Sequence, residues 1–533
     1  MIRQQETSKL TLPAHHQQTD LIQPCNSVAY KLLYDKFQTS QNVEITIRSF
    51  GNVLELFKKI DNNQTKSFFD YLENYLTYNH LVSTIHRGNN YYEPILGFTP
   101  ILKKLYIYDA VGRLICPKGF IYKIFKKLKE DNISFSYDGT GQLIDFNKLT
   151  FNWSRVKEKF DFRYGQDTCL YKIVENPGGI IWCPTGWGKM VLIIMMCLGF
   201  ENCKIDIVTR RVDVAQKIYE KLLSYDIRCG MIGGKRNSES RVTVITAGSL
   251  HKSNFTADII ICDECHELVS DKTIRLLSHY KNSIFYGFSA TPFGRADNSD
   301  LRTEGLFGKI IYKITYEEAV KQGLVVPIQI RWYVIKSHKK CAVRGIYRER
   351  YLIWQNLDRN RIIADVAKSF DDNTQVQILV KTVEHGLFLK QLLPEFVFVY
   401  DSINQNKLEK FKKNNLLTDD MIMNNQKRLE LRQKFESGEL KKVISTGVWS
   451  TGIDPTNLKV IIRADATSTE ILNIQSCGRV ARIKGNKPIG IVCDFIDQFD
   501  SIYYRKSLKR KKYYKEMGWS QFIVEGNKLI PWN

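Results

Sequence analysis

One stretch constrains the fold more than any other: Gly178-Gly179-Ile180-Ile181-Trp182-Cys183-Pro184-Thr185-Gly186-Trp187-Gly188-Lys189-Met190, running on into the apolar segment Val191–Phe200. An apolar strand, a glycine-rich turn closing on a lysine, and an apolar helix make the strand–turn–helix unit that cradles phosphate groups. Glycines let backbone N–H groups approach the phosphates, and the helix N-terminus adds a favourable dipole. Such a unit belongs in a parallel sheet covered by helices, and the surrounding texture agrees. After Arg163, short apolar runs alternate with helical stretches: GGIIWC, KIDIVT, RVTVIT, ADIIIC and SIFYGFS. A second series begins near Val376: QVQILV, EFVFVY, KKVIST, LKVIIRA and GIVCDFI. Two series predict an α/β chain with two lobes, residues 151–325 and 326–533, meeting near GLVVP (Gly323–Pro327). The polar run Asn404–Gln426 predicts a partly helical surface insertion in the second lobe.

Ahead of the lobes, residues 1–27 read as a flexible tail, rich in Gln, Thr and His. Residues 28–150 predict a small α+β domain without a chemical motif. Its segment Val43–Phe50 alternates apolar and polar as a half-buried strand does. Leu54–Ile60 and Phe68–Tyr78 read as helices, and Ile95–Asp109 and Ile133–Phe146 as short strands. KGFIYKIFKKLKE reads as an amphipathic helix whose lysines face either solvent or DNA.

Lys plus Arg total 78 against 56 for Asp plus Glu, a net charge of +22. That surplus favours a polyanionic partner, nucleic acid ahead of an anionic membrane surface. Val191–Phe200 falls well short of the ~20 residues of a membrane span, so no membrane role is expected. The N-terminus lacks an apolar signal core. Twelve scattered cysteines, several within apolar strands (Cys183, Cys262, Cys493), suggest reduced thiols in a cytoplasmic compartment. Cys262, Cys265 and His266 spell C-x-x-C-H, a haem-attachment pattern. The motif directly follows Ile259–Ile261 and encloses Asp263-Glu264, so carboxylate chemistry at a strand end explains it better and no haem is expected.

Lys189 is placed to meet the β- and γ-phosphates of ATP, with Thr185, Gly186, Trp187, Gly188 and Met190 around it. Met190 departs from the usual Ser or Thr, whose hydroxyl ligates Mg²⁺; a thioether is a poor ligand for that hard cation. Magnesium then depends on Asp263, phosphate oxygens and water, while Glu264 is placed to activate the attacking water. Trp187 either packs on the lobe or covers the nucleotide. Arg479 and Arg482 lie one helical turn apart, which would put both on one helix face as arginine fingers across the lobe interface. A basic, aromatic C-terminal stretch, Tyr503 to Lys515, offers Lys511 and Lys512 to phosphates and tyrosines to bases, or else is a solvated helix.

In order and spacing, these segments resemble the superfamily 2 helicases from about residue 160 to 500. Pro184–Met190 resembles motif I, Asp263–His266 motif II in its DExH form, and Ser289-Ala290-Thr291 motif III. Gln475 to Arg482 resembles motif VI, and Thr446 with Gly452 to Asp454 motif V. Arg163 to Gln166 is similar to the adenine-recognising element, with Gly165 as an extra residue. Thr209–Gln216 and Thr246–Leu250 resemble motifs Ia and Ib. The resemblance implies two RecA-like lobes and use of ATP with Mg²⁺. It implies catalytic roles for Glu264, Gln475, Arg479 and Arg482, and ATP contacts from Arg163, Gln166, Gly452 and Asp454 beside the phosphate loop. It implies ATP–nucleic-acid coupling through His266, Ser289, Ala290 and Thr291, and nucleic-acid contacts at Arg210, Thr246, Ser249 and Thr446. DECH, the small N-terminal domain and the stretch from Phe435 to Arg482 look most like the UvsW-type phage recombination helicases. That branch implies work on branched DNA and RNA–DNA hybrids in replication, recombination and repair. An ATP-gated clamp with weak turnover, an RNA helicase and a restriction-type translocase are the alternatives.

Overall fold

The computed structural model describes residues 43–532 apart from 51, 88–93, 139–148, 296, 338–340, 402, 450–454, 456, 469–473, 475 and 483–487. The expected tail, residues 1–27, lies outside the described residues, as does the part of Ile133–Phe146 beyond Asp138.

The first sheet holds β1 (Ile45–Phe50), β2 (Val53–Lys58), β5 (Ile107–Tyr108), β6 (Leu114–Pro117) and β7 (Phe135–Asp138), in the order β5-β6-β2-β1-β7. Between β2 and β5, the helix Asn63–Tyr75 leads into a long antiparallel ribbon, β3 (Thr77–Arg87) and β4 (Pro94–Lys104). The Asn62–Thr65 capping box starts that helix by satisfying donors at its first turn. The helix reading of Leu54–Ile60 is corrected here: those residues form β2. VLELFK satisfies helical and strand spacings equally over so short a window. Pairing with β1 and β6 decides, burying Leu54 and Leu56 completely on one face. The basic stretch after Pro117 does form an amphipathic helix, Ile121–Glu130, with Ile121, Ile124, Phe125 and Leu128 inward.

The second sheet comprises β8 (Gly179–Trp182), β9 (Ile205–Thr209), β10 (Cys229–Gly233), β11 (Arg236–Ser238), β12 (Val242–Thr246), β13 (Ile259–Asp263), β14 (Ile284–Ser289) and β15 (Ile310–Lys313). Their order is β11-β10-β12-β9-β13-β14-β8-β15, with β11 alone antiparallel to its neighbour. The third comprises β16 (Ile328–Ile335), β17 (Val376–Leu379), β18 (Val397–Val399), β19 (Lys442–Ser445), β20 (Val460–Arg463), β21 (Gly490–Asp497), β22 (Ser520–Glu525) and β23 (Lys528–Pro531). Its order is β18-β19-β17-β20-β21-β16-β22-β23, with only the β22–β23 pair antiparallel. Central strands of both sheets are buried on both faces, which is why they read as unbroken apolar runs. The expected insertion after Asn404 contains the helix Gln405–Lys413 and a turn at Asp419–Met421.

Described cysteines are free thiols, all buried except the half-buried Cys341. Among the described residues no helix is long and apolar enough to cross a membrane.

Candidate ATP site and lobe interface

β8 ends at Trp182, and the chain turns through Cys183–Gly188 into the helix Lys189–Gly199. Gly186 and Gly188 hold φ of +93° and +115°, a region that side chains with a Cβ rarely enter. The turn therefore points its backbone inward around Lys189. The Lys189 ammonium lies 3.5 Å from the Cys183 carbonyl and 3.7 Å from Glu264 Oε1. Burial disfavours this ammonium, but Glu264 and Asp263 outweigh that and hold its pKa above the ordinary lysine value.

Asp263 closes β13, buried, and burial together with the Glu264 charge pushes its pKa up to about 7. Glu264 adopts a left-handed backbone with φ +50°, a strained conformation for a residue with a side chain. That turn lets the two oxygens face different ways. Oε1 faces Lys189, and Oε2 lies 3.4 Å from Ser289 Oγ. His266 Nδ1 is 2.9 Å from the same Ser289 hydroxyl, which also accepts the Thr291 N–H at 2.9 Å. Ser289 has one proton to give and donates it toward Glu264 Oε2, while the His266 tautomer sets whether Nδ1 donates to the hydroxyl or accepts from it. Burial pushes the His266 pKa down to about 4, so the ring is neutral at physiological pH. Ala290 accepts a hydrogen bond from Trp182 Nε1 at 2.9 Å, joining the end of β14 to that of β8.

The Arg163–Gln166 turn is braced from inside. Gln166 is 1% exposed; its Oε1 accepts the Arg163 N–H at 3.0 Å and its Nε2 donates to the Trp187 carbonyl at 3.4 Å. Arg163 itself is exposed. Gly165 has φ +76°, and a β-carbon there would stand 2.3 Å from the Tyr312 hydroxyl, which explains the extra glycine. Trp187 is fully buried and stacks on Tyr312 at 5.5 Å, so it packs on the lobe. Met190 is half-buried against the core.

Across the interface, Gly478–Ala481 form a short 3-10 turn and Arg482 continues in extended backbone. The expected shared helix face for Arg479 and Arg482 is thus corrected. The Ala481 carbonyl is taken by the Val326 N–H at 2.7 Å, so the turn stops where the chain joining the lobes crosses it. Arg479 is buried and donates to the Trp449 carbonyl. The Arg482 stem lies over the phosphate loop, and Gly478 faces Thr185; a β-carbon on Gly186 or Gly478 would sit 3.5 Å from Arg482 Cγ or Thr185. Lys217–Glu436 at 2.5 Å and Arg432–Asp213 at 3.3 Å add ion pairs between the lobes. Gln475, Gly452 and Asp454 lie outside the described residues.

The family description "Type III restriction enzyme, res subunit" matches residues 159–294, and "Helicase conserved C-terminal domain" matches residues 361–484. A helicase-named protein, helicase 22 of Sulfolobus islandicus filamentous virus, is 28% identical over 69% of this chain and 69% of its own length. The ATP-dependent DNA helicase uvsW of Enterobacteria phage T4 is 26% identical over 65% of this chain and 70% of its own length. The chain belongs to the superfamily 2 helicases. In fold, the solved structure of Saccharomyces cerevisiae Dbp5 bound to RNA and ADP BeF3 superposes with a TM-score of 0.50 and 14% identity, covering 72% of this chain and 94% of that one.

The helicase is an ATP hydrolase with two RecA-like lobes. Its phosphate loop fits a nucleoside triphosphate: positive-φ glycines leave room for phosphate oxygens, and a buried lysine awaits anions. Asp263 and Glu264 supply oxygen donors suited to Mg²⁺, whereas Met190 supplies none.

Of the expected nucleic-acid contacts, Arg210 is exposed and lies 3.9 Å from Glu267. Thr246 is 3% exposed, packed against Gly233, and Ser249 is half-buried in the turn that follows. Thr446 is also buried, at the end of β19. Lys511 and Lys512 lie on the helix Ser501–Glu516, which packs on β21 and β22, toward the opposite end of that sheet from β19. Lys511 covers the Trp532 ring at 4.2 Å, and Lys512 stands 3.7 Å from Glu516. The idea of stacking tyrosines is corrected for three of the four: Tyr503, Tyr513 and Tyr514 point into the core while Tyr504 is exposed, and Arg510 is fully buried on Asp494 at 2.9 Å.

Sequence reasoning missed Arg295. It donates to the His266 carbonyl, hydrogen-bonds Ser299 at 2.6 Å and pairs with Asp297 at 2.9 Å. The next residues reach the β3–β4 ribbon, through Asn298 to the Asn79 carbonyl at 3.2 Å and Arg302 to the Tyr78 hydroxyl at 2.5 Å. The arginine four residues after the Ser289–Thr291 motif was the available signal.

Proposed function

We propose that this helicase is an ATP-driven DNA motor that remodels branched DNA by migrating junctions, regressing forks and unwinding D- and R-loops. The observation that carries the reading is the meeting of Lys189, Glu264, His266 and Ser289 beneath an arginine-bearing turn of the other lobe. The DNA branch of the proposal draws on the likeness to uvsW and on the +22 charge. Free thiols suit a reducing cytoplasm.

In this reading Thr185–Met190 cradle the triphosphate and Lys189 holds its terminal phosphates. Arg163 and Gln166 flank the base, and Gly452 and Asp454 complete the nucleotide site. Asp263 would hold Mg²⁺, which would supply charge neutralisation at the phosphates. Glu264 takes the proton of the attacking water. Arg479 and Arg482, with Gln475, stabilise the charge that develops on the transferred phosphoryl group. His266 and Ser289–Thr291 pass the state of Glu264 to Arg210, Thr246, Ser249 and Thr446, along which the strand is gripped; Lys511 and Lys512 add phosphate contacts.

Steady-state ATPase with single-stranded, duplex, forked, four-way and RNA–DNA hybrid substrates, beside a Lys189→Ala control, tests the proposal. Stimulation strongest with forked or four-way DNA and lost in the control is expected. Stimulation by RNA alone, or none by any branched substrate, overturns it.

Met190 favours a second reading, an ATP-gated clamp with slow turnover. Met190→Thr separates the two: a gain of tenfold or more in turnover supports the clamp, whereas a lower Mg²⁺ requirement at similar kcat supports the motor.

A further inference from the structure

One mostly apolar cavity lies away from the ATP site. About 370 Å³ opens at the seam between the N-terminal domain and the first lobe. It lies on the amino edge of the second sheet, at Gly178 just before β8 and at Ile284 where β14 begins, whereas Cys183 just after β8 and Ser289 at the end of β14 face the nucleotide. A strand of β14's length separates the two by about 20 Å.

Its walls are mostly apolar, with Leu105, Ile115, Ile121, Ile274, Phe285 and Phe307 among them. Among the described residues four cationic side chains also line it, Lys104, Lys118, Lys281 and Arg302, and no Asp or Glu does. Arg302 is spent on Asp271 at 2.6 Å. Lys104 and Lys281 stand on the exposed rim. Lys118 is half-buried in the wall, and that burial pushes its ammonium down to about 8, with no carboxylate among the described residues to offset it. A charged group in an apolar wall without a counter-ion is costly, and an anion brought into the cavity relieves that cost.

The seam is fixed firmly enough to hold a shaped site. Gly119 and Gly305 let the turn at Lys118–Phe120 press on the helix Asp300–Phe307; a β-carbon on Gly119 would stand 2.2 Å from the Glu304 carbonyl. Asn52 donates to the Tyr280 carbonyl at 2.6 Å, and Tyr75 to Glu304 at 2.7 Å.

We propose that this cavity is a second ligand site of the helicase, for a small amphiphilic anion: an aromatic or alkyl body against the apolar walls and one anionic head on Lys118. A volume within the ~300–1,000 Å³ of ligand pockets admits such a body.

Anilinonaphthalene sulfonate fluorescence on the full chain, displaced in turn by decanoate and by decan-1-ol, tests it. In the natural protein, one probe per chain is expected, with decanoate at least tenfold tighter than the alcohol. Lys118→Met, which swaps a buried charge for an apolar chain of similar length, is expected to erase the preference while leaving decan-1-ol binding and basal ATPase unchanged. Ile274→Phe, which fills the cavity from a half-buried helix position, is expected to weaken both ligands. Equal binding of acid and alcohol to the natural protein, or decanoate binding unmoved by both substitutions, overturns the proposal.

Discussion

At the scale of the residue, Ser289 is the junction. One hydroxyl stands between a carboxylate placed for water activation and a histidine kept neutral by burial. Ser289→Ala removes the shared partner but leaves Lys189 and Asp263 untouched. ATP affinity is expected to hold within about threefold while DNA-stimulated turnover and unwinding fall at least tenfold. His266→Ala is expected to do the same, with the double variant no worse than either single one, since coupled residues are non-additive. Unwinding assays with ATP titrations check this. A second prediction concerns Asp206, buried and hydrogen-bonded by Tyr280 at 2.6 Å. Burial pushes its pKa up to about 6, above the ordinary carboxylate value. The folded state then holds a proton more tightly than the unfolded one, so stability is lost as pH rises from about 4 to 6. Asp206→Asn keeps an acceptor for Tyr280 without the charge. It is expected to stabilise the protein by on the order of 1–3 kcal/mol at pH 7.5 and by nothing at pH 4, read from thermal melts.

At the scale of the element, identity was decided by partners wherever local pattern was short. VLELFK became β2 because β1 and β6 flank it, and the Gly478–Ala481 turn stopped because Val326 takes its last carbonyl. The helix Ser501–Glu516 shows the same logic. Its run of basic residues reads as a wet face, yet Arg510 pairs with Asp494 where both side chains are fully buried. Arg510→Ala strands a buried carboxylate and is expected to cost about 3–5 kcal/mol. Lys512→Ala, on the exposed side, is expected to leave the melting temperature unchanged. Paired melts of the two variants check both.

At the scale of the whole molecule, the lobes close over the phosphate loop and are clipped by Lys217–Glu436 and Arg432–Asp213. Lys217 and Glu436 are partly exposed, so that clip contributes little to stability and acts chiefly on the balance between open and closed lobes, whereas Arg432 is buried. Lys217→Gln is expected to raise the KM for ATP several-fold with a melting temperature within about 2 °C of the natural protein's. The N-terminal domain is wired to the same centre through Arg295 and the Asn298–Asn79 contact. Arg295→Ala is therefore expected to weaken DNA stimulation of the ATPase more than the basal rate.

The phosphate loop, the carboxylate pair and the two series of apolar strands were legible in sequence because each is local: a few consecutive residues carry both the chemistry and the period. Their order along the chain was enough for the two lobes and the ATP chemistry. Tertiary structure decided what depends on neighbours distant in the chain. Gly165 is explained only by Tyr312, and Trp187 turns inward only because that ring is there. Arg295 touches His266 from 29 residues away, a relation no local pattern records. The cavity that carries Lys118 exists only where two domains meet, because half-burying a lysine in an apolar wall is a property of packing rather than of composition.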